Sequence, residues 1–201
     1  YARQYSKDVR VIPTVVDTEN AHNQLKNQSE KPLAIGWTGT FTNLKNLDLV
    51  VPVIKKLQQQ YDFVFIIISN KDPEIKDLRY TYLSWNAETE IKDLMKFNIG
   101  LMPLEDTEIE KGKCAFKAIQ YMSLGIPAVV SPVGSNCDVV QNGIAGFWVN
   151  DENEWYEKLA LLIEDKELRA SMGNASRVNI VERYSVNATR ESFFNLFEKS
   201  F

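Results

Sequence analysis

Phe63-Val64-Phe65-Ile66-Ile67-Ile68 constrains this chain more than any other segment. Six consecutive apolar residues suit a strand covered on both faces, the condition of a central strand in a parallel sheet flanked by helices. Shorter runs of the same kind recur at Leu33–Trp37, Ile99–Met102, Ala128–Val130 and Gly146–Val149. Arg79–Trp85 alternates as a weaker strand, and Val9–Ile12 reads as a short strand stopped by Pro13. Between the strands lie helical patterns. Asn43–Gln60 carries Leu47, Val50, Val51, Ile54 and Leu57 on one face, with Pro52 kinking or delaying its first turns. Glu88–Lys96 is helical, Lys113–Leu124 is a helix stopped by Gly125, and Val139–Asn142 closes a short helix at Gly143.

Three helices finish the chain: Glu152–Ile163, Lys166–Glu182 and Val186–Lys199. Asp151 and Glu154 are spaced as a capping box for the first, and Ser185 or Asn187 caps the third. This alternation predicts an α/β fold, a doubly wound and mainly parallel sheet of Rossmann-like type ending in several α-helices. In such sheets ligands sit beyond the carboxyl ends of the strands. The candidate site loops are therefore Thr38–Thr42, Trp85-Asn86, Pro103–Gly112 and Ser131–Asn136.

At 201 residues the chain fits one domain, or one domain with terminal extensions, and Asp17–Pro32 is its one linker-like segment. A net charge of -4 argues against the basic face that nucleic-acid binding needs. Cys114 and Cys137, with no nearby histidine or further cysteine, give neither a disulfide framework nor a metal site, and fit a reduced cytosolic setting. His22, the sole histidine, lies in a polar stretch that poorly suits a buried catalytic base. No apolar run approaches the roughly 20 residues that cross a membrane. The chain opens Tyr1-Ala2-Arg3-Gln4 without an initiator methionine, so a fragment is expected.

The richest stretch for chemistry is Glu110–Pro127, which follows a strand end and opens a helix. A helix start leaves backbone N–H groups unpaired, and the helix dipole adds to their attraction for anions. Gly112 allows close approach to the backbone, while Lys113, Lys117 and Gln120 are spaced to share one face. An anion between the two ammonium groups, such as a diphosphate, resolves their repulsion; a solvated helix face is the plainer alternative. Gly36–Asn43 runs from a strand through Gly39 and Thr40 towards a helix, with Lys45 in its first turn. It lacks the third glycine of a dinucleotide fingerprint and any P-loop lysine, so an ordinary tight turn explains it equally well. Glu105, Asp106, Glu108 and Glu110 lack the spacing of a cation loop and read as a solvated loop. Trp85 ends a strand, where it stacks on a base or simply packs.

Taken in order, these segments resemble the C-terminal, donor-binding domain of family four retaining glycosyltransferases with the GT-B fold. Val11–Asp17 resembles the family's "IPNGVD" entry from the hinge. Ile35–Lys45 resembles its strand-glycine-arginine-loop-lysine element, with Gly39 at the glycine and Lys45 at the lysine. Ile99–Leu104 resembles the strand before the donor loop, and Gly112–Gly134 the donor helix with the "GIPVVAS" strand. Asn142–Phe147 resembles the "NGxxGF" turn, and Asp165–Arg169 with Met172-Gly173 resembles the helices that follow. Two departures stand out. Thr40 replaces the family's arginine, and Gly112 and Gln120 occupy the positions of its two glutamates.

The resemblance implies transfer of a sugar from a UDP- or GDP-linked donor to an acceptor hydroxyl with retained configuration. Lys45 and Lys117 would be the catalytic cations. Gly39, Thr40, Trp85, Glu110, Gly112, Lys113, Cys114, Ala115 and Gln120 would bind the donor, without a metal or other cofactor. Gln120 would hydrogen-bond the ribose hydroxyls, and Glu110 is the carboxylate nearest to the one that Gly112 lacks. It further implies a hinge or entry segment at 1–32, the nucleotide-sugar domain at 33–184, and a C-terminal helix at 185–201. That helix would pack towards an N-terminal acceptor domain, and its exposed Phe193, Phe194 and Phe197 would promote self-association. Cytoplasmic location, peripheral membrane association through the N-terminal domain, and bacterial surface-polysaccharide assembly follow at family level. The rival readings are an inert nucleotide-binding or regulatory module of the same fold, and a phosphosugar isomerase or epimerase.

Overall fold

The structure, a computed structural model, describes residues 2–198. Its strands are β1 (Ala34–Thr38), β2 (Val64–Ser69), β3 (Thr81–Ser84), β4 (Ile99–Met102), β5 (Ala128–Val130) and β6 (Gly146–Trp148). All neighbouring pairs are parallel, in the order β3-β2-β1-β4-β5-β6. The chain thus winds outwards from β1 in one direction and from β4 in the other. The crevice between β1 and β4 is the switch point where a doubly wound sheet binds ligands.

The helices are α1 (Val51–Leu57), α2 (Glu90–Leu94), α3 (Glu108–Lys111), α4 (Phe116–Ser123), α5 (Asn136–Val139), α6 (Glu152–Glu164), α7 (Lys166–Arg183) and α8 (Val186–Glu198). Successive strand residues point to opposite faces, so the sheet serves two cores. Ile35, Trp37, Phe65 and Ile67 pack with α1 and α6, whereas Ala34, Ile66, Ile68 and Met102 pack with α4.

Several boundaries depart from the sequence reading. Val9–Ile12 forms no strand; the pairing from this region is a single parallel bridge between Val16 and Ser185. A short apolar run does not make a strand unless an edge is available to receive it. The helix expected at Asn43–Gln60 is a 3-10 helix over Phe41–Leu49, followed by α1. Pro52 occupies the first turn of α1, where its missing N–H is tolerated. The acidic run folds in part into α3, whose Thr107 hydroxyl accepts the Glu110 N–H. The helix expected at Lys113–Leu124 starts at Phe116, and α5 precedes the position expected for it.

Capping follows the sequence with one shift. Asp151 Oδ1 accepts the Glu154 N–H at 2.9 Å, but the Glu154 carboxylate reaches back to the Asn150 N–H. Ser185, not Asn187, caps α8 through the Ala188 N–H. The segment read as a linker is anchored to the body: Thr18, His22 and Gln28 are buried, and Arg177 donates to the carbonyls of Thr18, His22 and Ser123. Phe193, Phe194 and Phe197 are exposed on α8, where Phe193 meets both Phe194 and Phe197 edge-on; Lys199 lies outside the described residues.

Candidate functional site

The site is built on the two central strands. A Cβ at Gly100 of β4 would lie 2.3 Å from the Tyr121 ring, so only glycine lets α4 seat this closely on the sheet. Tyr121 is fully buried, and its hydroxyl accepts the Thr38 N–H at 2.9 Å, fixing the carboxyl end of β1 against α4. Burial pushes that hydroxyl's pKa up, so it remains a neutral phenol. Immediately beyond, a Cβ at Gly39 would meet the Trp37 indole at 2.6 Å and Lys117 Cε at 3.0 Å. The bare backbone at Gly39 therefore leaves room for the Lys117 side chain over Trp37.

A cavity of about 580 Å³ opens above this point. Eight of the residues singled out from sequence line it: Gly39 and Thr40 after β1, Trp85 after β3, Gly112, Lys113 and Cys114 before α4, and Lys117 and Gln120 on α4. Ala115 does not line it but shapes it. This buried residue adopts a left-handed conformation at φ 56°, unusual for a residue with a side chain, and so turns the chain into α4. Among the described residues the N–H groups of Cys114, Ala115, Phe116 and Lys117 have no backbone acceptor, as expected at a helix start.

Lys45 and Glu110 lie elsewhere. Lys45 pairs with Glu105 at 3.4 Å outside the lining. Glu110 is 2% exposed, is not among the lining residues and pairs with Lys113, which also donates to Asn43 Oδ1 at 2.5 Å. The Thr40 hydroxyl is engaged by Thr42 and by Asn43 Nδ2, both at 2.8 Å. Of the loops chosen from strand ends, Ser131–Asn136 contributes nothing to this cavity; Ser131, Pro132 and Val133 line a neighbouring one with Glu105 and Asp106. Among the described residues no three histidine, cysteine, aspartate or glutamate side chains are grouped to hold a metal ion.

Two polar groups in the cavity lack what their burial demands. Lys117 has no ion-pair partner among the described residues. Burial, followed by repulsion from Lys113, pushes its amine down to about 8. Gln120 is 3% exposed, and its Nε2 has no hydrogen-bond partner among the described residues. A buried amide donor left unpaired carries a desolvation penalty of about 1–3 kcal/mol. An anionic, hydroxyl-bearing ligand meets both needs at once.

Sequence reasoning missed Asn70, Glu90, Met102 and Phe116 in the lining. Asn70 was accessible to it, because it follows β2 at the same end of the sheet as the chosen loops. Its Oδ1 accepts the Phe41 N–H at 2.8 Å and ties the loop after β1 to the end of β2. Glu90 accepts the Trp85 Nε1–H at 2.9 Å, a contact between side chains five residues apart that no sequence spacing announces. His22 is buried rather than solvated, with neither ring nitrogen hydrogen-bonded among the described residues, and it does not line the cavity.

A doubly wound parallel sheet with a cavity over its central crevice defines an α/β domain whose ligand site lies beyond the carboxyl ends of its strands. The sequence profile of the Glycosyl transferases group 1 family matches residues 32–165, and the chain belongs to that family. It is similar to the capsular polysaccharide biosynthesis glycosyltransferase CapM of Staphylococcus aureus, at 24% identity over 89% of this chain and 51% of that protein. The fold matches the C-terminal domain of the group 1 glycosyl transferase LpcC from Francisella tularensis with a TM-score of 0.66 and 16% identity, over 85% of this chain and 99% of that one. It also matches a variant of S. aureus TarM, solved with fondaparinux, α-GlcNAc-glycerol and UDP, with a TM-score of 0.73 and 21% identity over 98% of this chain and 41% of that one. The chain spans between 40% and 51% of the length of the curated relatives it matches. The architecture is thus that of a GT-B C-terminal domain. None of the described helices is long and apolar enough to cross a membrane.

Proposed function

We propose that this chain is the donor-binding half of a retaining glycosyltransferase, and that its cavity holds the nucleoside diphosphate of the donor sugar. The observation that carries the reading is Lys117, a half-buried ammonium without an ion-pair partner, beside the unpaired amides of a helix start. A diphosphate there gains the lysine charge, the helix dipole and several N–H donors together. Gln120 would reach the ribose hydroxyls, and Trp85 would offer its indole face to the base. UDP bound to the TarM variant is consistent with a uridine donor.

Charge accumulates on the diphosphate as the glycosidic bond breaks. Lys117, Lys113 and the amides of α4 are already in place to stabilise it, so little reorganisation accompanies the step. The lysines take the role a cation would otherwise fill, and the reaction needs no metal. Lys45 would join them by leaving Glu105. The acceptor hydroxyl would be presented by an N-terminal domain, across which α8 would pack. In this reading 1–32 is the hinge segment and 33–184 the donor domain. The pathway would be bacterial surface-polysaccharide assembly, in line with the name of the CapM relative, and the protein would work at the cytoplasmic face of the membrane.

A second reading, an inert nucleotide-binding module, is favoured by the burial of Glu110 under Lys113. With Gly112 at the cavity wall, this segment sends no carboxylate towards a donor sugar. Assay of the longer protein with UDP- and GDP-sugars separates the two. Transfer with retained configuration supports the enzyme, whereas tight diphosphate binding without transfer or hydrolysis supports the module.

A further inference from the structure

We propose that Cys114 is a modification site for small anionic disulfides, glutathione disulfide among them, and that the mixed disulfide formed there closes the cavity to nucleotides. The proposal rests on reading the cavity as an anion site. Cys114 is exposed and lies in the wall shared by two cavities, the 580 Å³ one and a second of about 370 Å³ that includes Arg183 together with Asp138. A disulfide can therefore reach its sulfur from either side.

The surroundings select for negative charge. Lys113 and Lys117 line the first cavity with Cys114; Lys113 is paired with Glu110, Glu90 is the one carboxylate among the lining residues, and Lys117 is the lining cation left without an ion-pair partner among the described residues. The buried, unpaired Nε2 of Gln120 supplies a waiting donor for a carboxylate or peptide carbonyl. Glutathione, a tripeptide with two carboxylates, offers both kinds of partner. Cys137 provides an internal contrast: it is half-buried, lines neither cavity, and burial, then Asp138, pushes its thiol up.

The chemistry is thiol–disulfide exchange. The Cys114 thiolate attacks one sulfur of the disulfide; the Sγ–S bond forms as the original S–S bond breaks. The departing thiolate takes the proton that Cys114 gave up, so Cys114 is oxidised and half of the disulfide is reduced to a free thiol. The attached tripeptide then occupies the space a diphosphate would need.

The test treats this chain with glutathione disulfide or with the cationic disulfide cystamine, followed by intact mass and peptide mapping. Expected is one glutathione per chain, on Cys114, added at least about tenfold faster than cystamine because the cavity attracts anions. UDP binding is lost on modification and restored by dithiothreitol. Equal labelling of Cys114 and Cys137, cystamine reacting as fast, or a modified chain that binds UDP like the parent overturns the proposal. Should the untreated chain bind no nucleotide, the donor reading fails separately, and the site and rate ratio of labelling still decide this one.

Discussion

Replacing Lys117 with methionine keeps most of the side chain's length and apolar stem while deleting its charge. Burial and Lys113 hold the amine near 8 instead of the ordinary 10.5. At neutral pH a shift of that size corresponds to about 3 kcal/mol by which the folded, ligand-free chain disfavours the ammonium. Lys117→Met should therefore stabilise the ligand-free chain by up to about 3 kcal/mol, or roughly 6–12 °C in Tm for a chain of this size. The same change should weaken diphosphate binding by about 10–100-fold, the worth of a charge-assisted hydrogen bond.

The sign with pH is fixed by the depressed value. Between about 8 and 10.5 the unfolded chain still holds the proton that the folded chain has released. Stability of the parent relative to the variant thus rises across that window and is flat below it. Urea unfolding of both proteins, followed by tryptophan fluorescence from neutral pH upward, reads the difference directly. A variant no more stable than its parent, or a stability gap that ignores pH, would refute the argument that Lys117 is a frustrated charge awaiting an anion.

Three further outcomes follow from the same geometry. Gln120→Ala should reduce the preference for ribose over deoxyribose diphosphates, measured by paired titrations, and leave pyrophosphate binding unchanged. Tyr121→Phe strands the buried Thr38 N–H and should destabilise the chain by about 1–3 kcal/mol in denaturant unfolding, with the cavity otherwise intact. Gly39→Ala forces a Cβ to 2.6 Å from Trp37 and should displace Lys117, lowering diphosphate affinity at least about tenfold in calorimetry.

The sheet was legible in the sequence because buried parallel strands are apolar throughout, as Phe63–Ile68 is, and their hydrophobicity requires no partner to be recognised. Their carboxyl ends then located Thr38, Gly39, Thr40, Trp85 and Gly112 in the lining, and the helix start beyond Gly112 located Lys113, Cys114, Lys117 and Gln120. What escaped depended on tertiary placement. Val9–Ile12 has the composition of a strand but receives only the bridge at Val16. Glu110 sits two residues from Gly112 in sequence, yet the turn of α3 buries it against Lys113 outside the cavity lining. Lys45 stands where the family that the chain resembles has its lysine, and only the fold reveals Glu105 as its neighbour. Glu90 entered the cavity through a hydrogen bond with Trp85 that has no local signature.

The central claim is that the cavity over Gly39 and Lys117 binds a nucleoside diphosphate through its phosphates. Calorimetric titration of this chain with UDP, GDP and ADP, each with and without magnesium, tests it most directly. The account predicts binding of a uridine or guanosine diphosphate that is unaffected by removing magnesium and is strongly weakened by Lys117→Met. Binding that requires magnesium, or is indifferent to Lys117, would contradict it.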